Sequence, residues 1–118
     1  MKIVSRKEFM KLPLGTVFSY YEPCVFHDLN VKASDLKEGW EVDFLYDEII
    51  GAIDSHSSED RSDKCEAMER GESVPMDFES TGREGLFDEE RLYAIYEKED
   101  VEKLIDRLKM TLAPHPSN

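Results

Sequence analysis

Cys24 and His27 come closest to a nucleophile with its base, since a thiol three residues from an imidazole can pass its proton to the ring and become a thiolate. In an extended chain, residues three apart point to opposite faces, and His27 shares its face with Val25, Leu29 and Val31. It therefore reads as a packed histidine. Asp54, His56, Glu59, Asp60 and Asp63 hold the right atoms for a divalent cation, but not the alternating oxygen spacing and sixth-position glycine of a calcium loop. They read as a solvated acidic loop running into a polar helix. Asp43 with Asp47, or Asp88 to Glu90, would serve as acid and base only if they flanked a cleft that split their pKa values, and so small a domain has little room for one. Gly82-Arg83-Glu84-Gly85 lacks the run of free amides that cradles a phosphate. It reads as a turn. No catalytic residue, metal or cofactor is expected.

The elements that would position these residues are legible from pattern. Ser5-Arg6-Lys7-Glu8 is a capping box, which predicts a helix from Ser5 to Leu12 stopped by Pro13 and Gly15. Thr16 to Tyr21 is β-branched and aromatic, a strand. Period-two alternation predicts strands from Val25 to Lys32 and from Trp40 to Asp47. In the second, Trp40, Val42, Phe44 and Tyr46 face inward and Glu41, Asp43 and Asp47 face solvent. The apolar run 49–53 is left unassigned, with a bend at Gly51. A helix from Ser57 to Arg70 starts on a capping box and stops at Gly71; it is polar all round and buries little. Val74 to Phe78 reads as an edge strand because of Pro75, 80–85 as a loop, and Leu92 to Tyr96 as a central strand. Val101, Leu104, Ile105, Leu108 and Leu112 form one stripe of a helix that Pro114 ends. The expected fold is α+β: a single domain over residues 1–112, an antiparallel sheet of about five strands with helices packed on one face, and a flexible tail over 113–118.

Charge is distributed unevenly. Of 27 Asp and Glu residues, 21 lie between Glu41 and Glu102 against six Lys or Arg, a local net of −15 in a chain of −12. Such a surface repels phosphate backbones and anionic membranes and attracts basic proteins. With 40% hydrophobic residues and twelve aromatics the chain should nevertheless fold. No apolar run is long enough to span a bilayer, no export signal is legible, and Cys24 and Cys65 lack a zinc or scaffold spacing. A cytoplasmic protein with reduced thiols is expected.

Lys7 to Pro13 with Gly15-Thr16-Val17-Phe18, Tyr21-Glu22-Pro23-Cys24 and Phe26, together with Val74 to Phe78, Gly82-Arg83, Gly85, Phe87-Asp88 and the helix from Val101 to Leu108, resembles small acidic proteins encoded by bacteriophages and prophages. That family carries no assigned active site. The resemblance implies a setting, in which short acidic proteins bind and block a host factor or a defence component that recognises nucleic acid.

Two functions from different classes fit. The first is a non-enzymatic inhibitor, a DNA mimic in one version, whose acidic face of Glu41, Asp43, Asp47, Asp88, Glu89 and Glu90 docks on a basic, nucleic-acid-binding host protein without touching nucleic acid or membrane. The second is a homo-oligomeric small-ligand binder that sequesters a nucleotide-derived signal, with aromatic rings for stacking and Arg83, Arg91 or Arg107 for its phosphates. An accessory role without ligand is the bland alternative.

Overall fold

A computed structural model describes residues 1–24, 28–38, 41–83 and 89–113. The chain runs β1 (Lys2–Ser5), α1 (Arg6–Met10), β2 (Val17–Tyr20), β3 (Asn30–Glu38), β4 (Glu41–Glu48), α2 (Ser58–Glu69), β5 (Ser80–Arg83), β6 (Leu92–Tyr96) and α3 (Lys98–Leu112). Among the described residues the strands form a six-stranded sheet in the order β1-β6-β2-β3-β4-β5, with every neighbouring pair antiparallel. The protein is thus α+β, with one strand more than the sequence pattern predicts. Two strands are unforeseen, β1 and β5, and the strand expected over 74–78 does not join the sheet; the four residues of β1, too short to show a period, pair with Leu92 to Ile95 of β6.

The core is aromatic. Phe9, Phe18, Phe44, Tyr93 and Ile95 are buried together, with Val4, Met10, Leu12, Tyr20 and Tyr46 packed against them. Phe9 is the hub: its ring stacks on Tyr93 at 4.4 Å and tilts against Phe18 at 4.7 Å and Phe44 at 4.8 Å. Burying such a side chain contributes roughly 1.5–3 kcal/mol, which lets α1 dock with only five residues. Its start is fixed as the capping box predicts, by the Glu8 amide donating to Ser5 Oγ at 3.2 Å.

Three expectations change. In the stretch read as a strand over 25–32, residues 25–27 lie outside the described residues, and pairing starts only at Asn30 and runs on to Glu38. The face assignment there inverts: Asn30 and Lys32 are each 1% exposed, while Leu29 and Val31 are half-buried. Residues 80–83, read as loop, form the edge strand β5, with Gly82 opposite Tyr46. A Cβ on Gly82 would come within 2.9 Å of the Tyr46 ring, so glycine lets that ring lie across β5. The segment read as a strand over 74–78 makes only an isolated bridge, Met76 to Ile53. The unassigned run before it turns at Gly51 and ends in that bridge.

Outside the sheet, α2 starts on Ser57, which accepts the Asp60 amide at 3.0 Å, and none of its side chains is buried. α3 touches β6 at its foot, where Val101 is half-buried, but Leu104, Ile105, Leu108, Met110 and Leu112 are 37–85% exposed. Among the described residues no helix is long and apolar enough to cross a membrane.

Candidate functional site

Where β2, β3, β4 and the approach to β6 converge, Tyr20, Glu22, Asp28, Asn30, Tyr46, Glu48 and Arg91 line an open cavity of about 230 Å³. The Tyr20 and Tyr46 rings meet edge to face with centroids 5.7 Å apart. Arg91 places its guanidinium over the Tyr20 ring, 4.3 Å from the centroid, a cation–π contact that holds the side chain against the wall.

Asn30 is the decisive residue. Its Nδ2 donates to Asp28 Oδ2, which also accepts the Tyr20 amide at 3.3 Å. A carboxylate only accepts, so it fixes the Asn30 amide with its NH₂ toward Asp28 and its carbonyl oxygen away. Asn30 Oδ1 is buried and has no hydrogen-bond partner among the described residues; the same holds for Arg91 Nε. An unsatisfied buried acceptor costs about 1–3 kcal/mol; Asn30 Oδ1 has no exposed surface, so a ligand N–H or O–H removes that cost only where the cavity wall opens to reach it. Asp28 is itself held by its backbone: Ser19 Oγ donates to its carbonyl at 2.5 Å and lies 2.9 Å from Tyr96 Oη.

The lining supplies acceptors on three carboxylates and an amide carbonyl, two aromatic rings, and one cation. This wall suits a ligand with a planar ring and several donors, and Arg91 can meet an anionic oxygen on it. Among the described residues no Cys, His, Ser or Thr borders the cavity.

The predicted site residues scatter. Asp43, expected on the solvent face, is 2% exposed, because Arg83 Nε at 2.5 Å, Arg6 Nη2 at 4.0 Å and the Phe44 amide at 2.8 Å draw it inward. It belongs to a buried ion pair, not to a docking face. Asp47 is half-buried and accepts Thr81 Oγ1 at 2.7 Å. Glu89 and Glu90 are exposed next to β6, Asp88 lies outside the described residues, and the side chain of Glu41 does too. Of the three arginines, Arg83 is engaged by Asp43 on the edge strand, Arg107 is on α3, and only Arg91 borders the cavity. His27 of the Cys24–His27 pair and Trp40 also lie outside the described residues. Around Asp54, His56 and Asp60, Lys64 occupies the centre: its Nζ is 3.1 Å from Asp60 Oδ2 and donates to the Asp54 carbonyl. No three His, Cys, Asp or Glu side chains converge on a cation position among the described residues.

Compared with family models, curated proteins and solved structures, the chain matches none.

Tyr20, Asn30 and Tyr46 carry no local signature. The usable signal is an asparagine two residues after Asp28 on a strand whose inward face is polar.

Proposed function

We propose that this protein is a non-enzymatic binder of a small ligand with a planar ring and several N–H or O–H donors, a nucleoside or nucleotide-derived signal, held between Tyr20, Asn30, Tyr46 and Arg91. The observation that carries the reading is the buried Asn30 carbonyl oxygen with no partner beside two aromatic rings and a stacked arginine. Carboxylates of Glu22 and Glu48 would take ribose hydroxyls, the tyrosines a base, and Arg91 a phosphate oxygen. The resemblance to phage-encoded proteins supports sequestration of a host signal as the purpose. We keep the cytosol as its compartment, a setting in which the unpaired Cys24 and Cys65 stay reduced. In a panel of nucleosides and mono- and dinucleotides, at least one should raise the thermal midpoint by several degrees. Ligand at about 100 times Kd adds about 2.7 kcal/mol to stability. Asn30→Leu should abolish that shift. A panel without effect, or a shift unchanged in Asn30→Leu, contradicts the reading.

A second reading is favoured by α2, which sets Glu59, Asp60, Asp63, Glu66 and Glu69 against Arg61 and Lys64 on a helix with no buried side chain. Here a basic, nucleic-acid-binding host protein would dock on α2 and the exposed Glu89 and Glu90, and would be blocked by it. Such a complex should dissociate steeply between roughly 0.05 and 0.3 M salt, and Glu59→Lys with Glu66→Lys should abolish it. Capture that persists at high salt in that variant would exclude the reading.

A further inference from the structure

We propose that α3 is a self-association surface, on which the α3 helix of a second copy of this chain lies antiparallel. The helix carries an apolar stripe that its own sheet does not cover: Leu104, Ile105 and Leu108 are 37%, 47% and 57% exposed, and Leu112 is 85% exposed. At its foot the stripe continues into a groove of about 350 Å³ bordered by Leu12, Val17, Ile95 and Val101.

Charge selects the occupant. In a chain of net −12, the segment Lys98–Leu112 is neutral, with four acidic residues (Glu99, Asp100, Glu102, Asp106) balanced by four basic ones (Lys98, Lys103, Arg107, Lys109). The signs are modestly polarised along the axis: Glu99, Asp100 and Glu102 against Lys98 and Lys103 leave the first half at −1, and Arg107 and Lys109 against Asp106 leave the last at +1, with Asp100 already 2.6 Å from the Met1 amino group. An antiparallel copy sets each acidic start against a basic end; a parallel copy sets like against like. A strongly basic partner would be drawn to the acidic body instead of this neutral helix. The helix is about 22 Å long at 1.5 Å per residue, so the antiparallel arrangement also brings the second copy's last turn to the groove at the foot of α3. The contact is isologous, the usual form of a homodimer.

Sedimentation velocity on the full chain tests this. At about 100 µM the chain should sediment as a dimer of about 27 kDa, twice 13.7 kDa, and dissociate on dilution through the micromolar range, as a small interface does. The variant Ile105→Glu with Leu108→Glu should be monomeric with unchanged far-UV circular dichroism, because both side chains are exposed in the single copy. Arg107→Glu with Lys109→Glu should weaken the dimer at least about tenfold, and adding Glu99→Lys with Glu102→Lys should restore it. The charge variants decide the matter even if the double glutamate fails to fold. A wild-type monomer at about 100 µM, or a dimer indifferent to both sets of substitutions, overturns the proposal.

Discussion

Lys32 and Asp43 are charged side chains sunk into the sheet, and each is closed by a different kind of partner. Lys32 Nζ donates to the carbonyls of Phe9, Met10 and Leu12, the last at 2.9 Å, and pairs with Asp35 at 2.9 Å. It therefore caps the C-terminal end of α1, where unpaired carbonyls and the helix dipole favour a cation. Lys32→Met keeps most of the stem but removes the side-chain donor to Met10 and Leu12, while the Phe9 carbonyl keeps the Leu12 amide at 3.0 Å. It should lower stability by about 2–4 kcal/mol in urea unfolding with an unchanged m value. A loss under about 0.5 kcal/mol would mean that water replaces the ammonium. Neither buried charge is legible as buried from sequence. Alternation assigns faces by polarity, whereas here ionic partners from other elements, Arg6, Arg83 and the end of α1, override it. Asn30 escaped notice for the same reason: its side chain is held by Asp28, which stands outside any strand.

Helix starts were the most legible elements, because capping is local: Ser5 and Ser57 both cap as their spacing predicts. Strands without alternation, β1 and β5, were not, since their pairing is decided by β6 and β4 far along the chain. At the start of α2, Lys64 beside Asp60, and then the His56 amide, hold the Asp60 carboxyl below its ordinary 3.8. At the start of α3, the Met1 amino group and then the Glu97 amide do the same for Asp100. A lowered folded pKa stabilises above the unfolded value and is lost as pH falls through the folded one. Ellipticity at 222 nm should therefore hold down to about pH 5 and decline between roughly pH 4 and 3, and Asp60→Asn should remove part of that decline. A decline centred near pH 6 would point to histidine instead.

At the scale of the molecule, the radius of gyration is 17.1 Å over extents of 56 × 38 × 24 Å, against roughly 13.5 Å for a compact chain of this length. The excess reflects two helices that leave the sheet, α2 polar on every side and α3 apolar along one. The period of α3 states that a stripe is to be covered; it does not state by what, and the sheet takes Phe9 of α1 into its core instead. The cavity is likewise a property of the whole arrangement, since Tyr20, Asn30, Tyr46 and Arg91 come from four separate segments of the chain.

The most direct test of ligand capture is the Asn30 side-chain NH₂ pair in a ¹⁵N correlation spectrum, followed as nucleosides and nucleotides are titrated. A ligand donating to Oδ1 should shift these two resonances and the Arg91 Nε–H together, saturably, with one dissociation constant. Resonances that stay fixed while the ligand perturbs residues elsewhere, or no perturbation by any member of the panel, would contradict the assignment of this cavity as the binding site.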